Sequence, residues 1–334
     1  MRPFKNPVVR VLIYVILLVF IIYSVLPFFW TALQSLKNVR QAFAKKPLVL
    51  FSPTFQNYEE LWITSTPENF GFLGFILIAL IAALILLIVF SDRLKVPQGL
   101  IYLGILFLIV FIFWFIPRVI DTAEFYNYFL NSVIVTVGVV VISMTIGSIS
   151  GYALARYTGI GGVVILIAAL GFRALPRMAF ALPYYSLGQM TGMHDTYIML
   201  ILVLVAANQP FTIWMMRAFF AEIPKAIEES ARIDGLGPFA AFLRVVIPTA
   251  WPGIISTGLF SLLLAYHEFL LARVLTQSKW TLPVAIAQFT GGEAPGHITL
   301  AAAAAVSATI PIVIIIIFFQ KHLVKGLAAG AVKG

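Results

Sequence analysis

Apolar residues gather in this chain in long runs rather than in narrow stripes. Eight stretches, near 10–33, 70–91, 99–117, 127–155, 160–182, 197–218, 250–274 and 298–319, consist almost wholly of Ile, Leu, Val, Phe, Ala and similar residues. A bilayer core about 30 Å thick asks for roughly 20 apolar residues per helix, so the pattern predicts an all-α integral membrane protein with about eight transmembrane helices. The runs 70–91 and 99–117 are apolar all round, with almost no polar position to line a path, and are expected in peripheral, lipid-facing packing. Arg2, Lys5 and Arg10 flank the first run as they would a signal peptide. Its apolar stretch is too long for one and lacks a small-residue cleavage site, so it is read as a retained helix with its N-terminus inside. Alternation from that point puts 91–98, the turn at Arg156, the segment 222–252 and the tail 321–334 on the cytoplasmic side. Most of the Lys and Arg of the short loops fall there, as the positive-inside rule asks. Residues 36–69 become an external loop rich in prolines and aromatics.

One segment breaks the apolar pattern. "AIEESARIDGLGPFAAFLRVVIPTAWP", residues 226–252, is charged, broken by glycine and bounded by proline. Pro224 suits a first helical position, and the acidic residues of "KAIEESARI" fall early, where they complement the helix dipole. Gly235 and Gly237 stop that helix. Pro238 opens a second, which is expected to end before Pro248 because the residue before a proline disfavours the α region. On the first helix Ile227, Ser230 and Ala231 share a face by spacing, with Glu229 beside them. A small-residue face lets another protein come close; an amphipathic helix resting on lipid fits the same pattern.

Composition narrows the function classes. With 61% hydrophobic and 10% charged residues, the chain lies in the membrane class. It has no cysteine, which removes disulfides, thiol catalysis and cysteine-held metals. His194, His267, His297 and His322 show no ligand spacing, so no metal site is expected. The net charge of +9 is explained by basic anchors flanking the spans rather than by nucleic-acid binding. No catalytic residue stands out, because no cluster of His, Asp or Ser gathers at one membrane face.

Charged residues inside spans are costly and carry functional hypotheses by default. The fifth run holds "GFRALPRMAFALPYY", which places Arg173 and Arg177 one turn apart on one helix face, with Pro176 freeing a carbonyl between them. The seventh holds "LLAYHEFLLAR", with His267, Glu268 and Arg273 at similar depth. Two readings stand side by side: Arg173 or Arg177 pairs with Glu268 to hold the bundle, or the arginines with Tyr184, Tyr185 and Tyr266 bind and stack on a polar solute. Asn208 and Gln209, before Pro210, fit either a path or interhelical hydrogen bonds at a kink.

"EESARIDG" followed by "VVIPTAWP" resembles the EAA loop of binding-protein-dependent ABC importer permeases, with Glu229, Ser230 and Ala231 matching the family's Glu-Ala-Ala and Gly235 its glycine. The resemblance extends to the carbohydrate branch of maltose and glycerol-phosphate permeases through "NYFLNSVIVT", "GYALARY", "IWMMRAFFAEIPKAIEESARIDG" and the closing "FFQKHLVKGLAAGAVKG". It covers about 120–334, and 10–62 more loosely. It implies a type I importer transmembrane domain that moves a carbohydrate or polyol by alternating access in the bacterial cytoplasmic (inner) membrane. Implied partners are a second homologous permease subunit, two ATP-binding subunits, an extracytoplasmic solute-binding protein and membrane lipid. Glu229, Ser230, Ala231, Asp234, Gly235 and Pro248 would form the ATPase-coupling loop, and Gly330 and Lys333 a tail contact. ATP and Mg would sit on the partner subunits, in keeping with the absence of a Gly-rich phosphate loop here. Ser230 departs from alanine, Tyr266 and His267 depart from the family's Trp-Asn before Glu-Phe, and 70–117 forms a pair that a six-helix permease lacks. The domain plan is 1–35 N-terminal helix, 36–69 external loop, 70–117 extra pair, 118–320 core with the coupling loop at 222–252, and 321–334 cytoplasmic tail. An anionic sugar or polyol derivative, and a secondary transporter, remain as alternatives; the latter should need no docking loop.

Overall fold

The long apolar runs become helices because a backbone surrounded by apolar side chains must satisfy its own N–H and C=O groups. In the computed structural model, which describes residues 7–45, 49–65, 70–90, 98–157, 159–291 and 296–331, the order is α1 (Pro7–Ser35), α2 (Val39–Ala42), α3 (Gln56–Trp62), β1 (Ile63–Ser65), α4 (Phe70–Phe90), α5 (Gln98–Val119), β2 (Asp121–Thr122) and α6 (Glu124–Arg156). There follow α7 (Ile160–Arg173), α8 (Arg177–Thr191), α9 (Tyr197–Glu222), α10 (Lys225–Ile233), α11 (Pro238–Ala241), a π turn (Phe242–Val246), α12 (Ile247–Thr249), α13 (Trp251–Tyr266), α14 (Leu270–Leu275), α15 (Leu282–Thr290) and α16 (Gly296–Ala331). Residues 91–97 of the predicted loop 91–98, Arg2, Lys5 and Lys333 lie outside the described residues, and Gln98 opens α5.

Among the described residues, Val8–Ser35, Glu124–Arg156, Tyr197–Glu222 and Gly296–Gln320 are each long and apolar enough to span a membrane. Pro238–Thr249 and Trp251–Tyr266, bent by 78°, make a fifth candidate taken together. The fifth apolar run is not one helix. It is α7 and α8, of 14 and 15 residues, separated at Ala174–Pro176. Pro176 has no N–H to donate and turns the residue before it away from the α region. Arg173 therefore ends one helix and Arg177 begins the next, so the single shared face expected of them is replaced by a corner. The seventh run breaks likewise, at His267–Phe269 between α13 and α14.

The first unit comprises 1–127 and 289–307. The external-loop residues fold here onto the end of α1. Asn57 donates through Nδ2 to the carbonyls of Ser35, at 2.8 Å, and Lys37, at 2.9 Å, closing groups that the helix end leaves open. Lys37 is fully buried, its ammonium 4.5 Å from the Trp30 ring centroid and 5.2 Å from that of Phe51. The pattern missed one ladder: β1 pairs antiparallel with β2, Ile63 opposite Thr122. Trp62 meets Phe125 edge to face at 4.9 Å and donates to the Ser307 hydroxyl at 3.1 Å.

The second unit comprises 128–288 and 308–334. Its main core joins Val135 and Val139 of α6, Leu200, Val203 and Leu204 of α9, and Leu271, Ala272 and Leu275 of α14. A second core joins Met216 and Phe220 of α9 to Phe242, Val246 and Ala250. Gly151 lets α6 and α9 cross closely: a Cβ there would stand 2.7 Å from Met216 Cβ and 2.9 Å from the Arg217 nitrogen. Small residues at such crossings are the usual means by which membrane helices come into contact.

Candidate functional site

Two places in the second unit carry the candidate residues. At the first, α10 begins at Lys225 with Pro224 just outside it as N-cap, one position earlier than expected. The helix ends by donating Leu236 N–H to the Ala231 carbonyl at 3.1 Å and Gly235 N–H to the Arg232 carbonyl at 3.1 Å. That is the Schellman closure, and it requires a left-handed residue after the cap. Gly235 supplies it with φ of 89°. Asp234 is the exposed C-cap residue. The second arm runs from Pro238 through Pro248 to Thr249, past the point where it was expected to stop. It does so by widening: Ile247 N–H reaches five residues back to the Phe242 carbonyl, and Pro248, which has no N–H, sits beside this π turn.

Glu229 and Ser230 are exposed on α10, and Ile227 is 37% exposed, but Ala231 is buried against its own chain. The face offered outward is thus Ile227, Glu229 and Ser230 without Ala231. Glu228, which spacing did not single out, turns inward. Its carboxylate accepts from Arg156 Nε at 2.7 Å, from Arg156 Nη2, and from the Tyr152 hydroxyl at 2.8 Å. A guanidinium at the end of one span and an acid in the first turn of a nearby helix were both visible in the sequence. Which of two adjacent glutamates faces inward is set by the rotation of α10, and spacing alone leaves that rotation free.

The second place is a cavity of about 270 Å³ lined by Arg173, Arg177, Phe180, Tyr184, Val203, Ala206, Ala207, Pro210 and Leu271. A more open depression of about 450 Å³ shares Arg177 and adds His267, Glu268 and Phe269. Arg177 forms an ion pair with Glu268, whose side chain is 6% exposed. Glu268 Oε1 also accepts Leu271 N–H at 3.1 Å, so one carboxylate caps α14 and neutralises the start of α8. Among the described residues Arg173 takes no carboxylate; its guanidinium lies 4.6 Å from the Phe211 ring centroid. Two cations therefore line one cavity, and among the described residues only Arg177 is paired with an acid, Glu268.

The other candidates are engaged as follows. Tyr266 is buried and donates to the Ala308 carbonyl at 2.8 Å, so its hydroxyl is committed inside the unit. Tyr185 meets His194 edge to face at 4.9 Å. Asn208 is fully buried on α9 and neither atom of its amide has a partner among the described residues, whereas Gln209 Nε2 donates to the Ser143 carbonyl at 3.3 Å, an interhelical bond of the kind expected. His267 is exposed, its Nδ1 3.0 Å from the Leu263 carbonyl, and exposed Arg273 lies 5.2 Å from the Trp280 ring centroid. Gly330 falls within α16.

The chain is 36% identical over 216 residues to the trehalose transport system permease protein SugB of Mycobacterium tuberculosis, a match over 63% of this chain and 78% of that protein. It is 31% identical over 219 residues to the maltodextrin transport system permease protein MdxG of Bacillus subtilis, covering 65% and 79%. It is 34% identical over 217 residues to the trehalose/maltose transport system permease protein MalG of Thermococcus litoralis, covering 64% and 77%. No protein-family model matches. Among solved structures, a chain of a bacterial ABC transporter that imports the acidic polysaccharide alginate superposes with a TM-score of 0.66 at 18% identity, over 96% of this chain and 99% of that one.

Proposed function

Because this multi-pass membrane chain belongs to the permease family of sugar ABC importers, we propose that it is the transmembrane subunit through which a carbohydrate or polyol enters the cell, driven by separate ATPase subunits that dock on residues 222–252. It works as one of two homologous permease subunits, with two ATP-binding subunits and an extracytoplasmic solute-binding protein, in the bacterial cytoplasmic membrane. Its eight spans leave both termini in the cytoplasm, and ATP and Mg are held by the ATPases. The observation that carries this reading is the bent pair of helices at 225–249: Glu229 and Ser230 stand exposed on α10, and the Gly235 closure fixes the angle of that helix to the second arm. An exposed carboxylate on a rigid projection suits a charge-assisted contact to a basic residue of another protein.

Alternating access follows from differential binding. Driving a two-state equilibrium from 1:99 to 99:1 takes roughly 5.5 kcal/mol, and here ATP binding at the partner dimer would supply it through α10. Replacing Gly235 with Pro removes both the left-handed geometry and the N–H that closes on Arg232. The expected outcome is a folded membrane domain that no longer retains the ATPase subunits on co-purification, with transport reduced at least tenfold. Undiminished transport with the ATPase still bound would refute the docking assignment.

The trehalose and maltodextrin named in the relatives' descriptions carry no charge, which supports a neutral solute. A second reading, a sugar or polyol bearing a carboxylate, phosphate or sulfonate, is favoured by Arg173, which lines the cavity without an acid of its own among the described residues. Arg173→Gln decides between a path role and a structural one. A path role predicts that stimulation of ATP hydrolysis by the loaded binding protein survives while solute transport falls; a structural role lowers both together with protein yield. Screening neutral and anionic sugars against the cognate binding protein separates the two solute classes.

A further inference from the structure

The two adjacent glutamates of α10 serve opposite directions. Glu229 is exposed, while Glu228 has 12% of its side chain exposed and is held by Arg156, itself 16% exposed, at the end of α6. Arg156 does more than pair. Its Nη1 donates to the Phe220 carbonyl at 3.0 Å, which also accepts the Ile223 N–H, and its Nη2 to the carbonyl of Ile223, the cap residue of α9, at 3.2 Å. Tyr152, one turn before Arg156, donates to the other oxygen of Glu228 at 2.8 Å. The Tyr152 ring packs on Phe242 of the second arm at 4.6 Å and edge to face on Phe220 at 5.7 Å. One guanidinium thus ties together the ends of α6 and α9 and the start of α10. A cation suits the C-terminus of α9 and an anion the N-terminus of α10. The planar fork of arginine can serve a carboxylate and two carbonyls at once, which the point charge of lysine cannot.

Between α9 and α10 the chain has only Ile223 and Pro224. With Arg156 in place that connection is braced; without it, α10 can swing on the two residues while α6 stays still. We propose that Arg156, positioned by Glu228 and Tyr152, is the joint that passes a displacement of α10 to α6 and α9. Arg156 is a positioning residue for energy coupling and touches neither ATPase nor solute. This inference rests on the docking role of α10 stated above.

The test uses the complete transporter in proteoliposomes with its binding protein, for the wild type and for Arg156→Lys, Glu228→Gln and Tyr152→Phe. Four quantities are read: ATPase subunits retained on co-purification, basal hydrolysis, stimulated hydrolysis, and solute moved per ATP. All three variants should retain the ATPases at the wild-type ratio and keep basal hydrolysis within about twofold. Solute moved per ATP should fall tenfold or more for Arg156→Lys and Glu228→Gln, and by a smaller factor for Tyr152→Phe, which keeps its ring and loses one hydroxyl. Combining Arg156→Lys with Glu228→Gln should cost little more than either alone, since both break one joint. Normal solute-to-ATP ratios in all three variants overturn the proposal. So does a loss in which yield, hydrolysis and transport fall in parallel even for Tyr152→Phe, for that marks a merely structural contact. If the wild-type chain itself does not retain the ATPases, the docking reading fails first and takes the joint with it. If the wild type retains them and the variants stay coupled, only the joint is wrong.

Discussion

Asp195 shows how much one side chain can settle at the turn between α8 and α9. Its backbone is left-handed, φ 60°, a conformation that Asp tolerates better than most residues. Its carboxylate accepts the N–H groups of Gln277 at 2.7 Å, Ser278 at 2.9 Å and Lys279 at 3.2 Å, and the Ser278 hydroxyl at 2.6 Å. Partial burial pushes its pKa up, but the Ser278 hydroxyl and the three N–H groups outweigh burial and hold it below its ordinary value near 3.8. A depressed folded-state pKa means that the stabilisation is fully present above the unfolded value and is lost as pH falls through the folded one. Asp195→Asn keeps the size and the tolerance of this backbone and removes the charge. Hydrogen bonds to a charged group contribute about 1.5–3 kcal/mol, less here because the site is partly solvated. A net loss of about 1 kcal/mol should lower the melting temperature of the detergent-solubilised protein by roughly 2–4 °C at pH 7. The gap to wild type should narrow as pH falls below about 4 and close once pH lies below the depressed folded-state value; a gap that persists at that point would assign the effect to shape rather than charge. Gly151 offers a second test. Gly151→Val places atoms against the backbone of α9 and should cost about 1–3 kcal/mol, whereas Gly258→Ala, whose nearest neighbour is Met144 at 3.9 Å, should be tolerated.

Between elements, the two broken spans pack against each other and share an ion pair. Glu268 lies in the break between α13 and α14 and Arg177 at the start of α8, so their pair adds to the apolar packing of α8 on α14. Removing one partner of a fully buried pair costs about 3–5 kcal/mol. Arg177 retains 35% of its side-chain exposure, so about 2–3 kcal/mol is the fitting estimate for Glu268→Gln or Arg177→Gln. The double variant should be less destabilised than the two losses added, which a double-mutant cycle on melting temperature measures. The sequence named this pair as one of two options, and it named the breaking residue Pro176 without drawing the break. Apolar runs report where helices lie, because length and hydropathy are properties of the chain itself. They do not report the rotation of a helix about its axis, so Glu228 was not distinguished from Glu229, and Ala231 was grouped with a face that it does not share. Nor do they reveal backbone adjustments such as the π turn before Pro248, where a wider hydrogen bond lets a helix continue through a residue expected to end it. The β1–β2 ladder was invisible for a similar reason: three residues paired with two carry no periodicity to read.

At the scale of the whole chain the open question is what α4 and α5 contribute, and topology makes it testable. α4 is apolar throughout and α5 is apolar between Gln98 and Arg118, and two helices together return the chain to the side from which it left. Among the described residues, β1 pairs with β2 just after α5, the Tyr126 hydroxyl donates to the Phe113 carbonyl of α5, and Ile101, Ile112 and Val119 of α5 are buried. Deleting 70–117 keeps β2 and α6 and leaves Tyr126 without that acceptor, so Tyr126→Phe should be combined with the deletion to avoid stranding a buried hydroxyl. The combined variant is expected to insert, to keep its downstream orientation and to retain measurable transport. Deleting 70–90 alone should invert everything after it or block insertion, because the charged flanks would then face the wrong side. The chain has no native cysteine, so single cysteines at 59, 157 and 325 report sidedness without background. In the wild type and in the pair deletion, 157 and 325 should share the cytoplasmic side and 59 the opposite one, whereas the single deletion should move 157 and 325 to the side of 59. If 157 and 325 label from opposite sides in the wild type, the eight-span topology is wrong. If the pair deletion labels correctly, accumulates normally and transports nothing, α4 and α5 take part in transport itself rather than in lipid-facing packing.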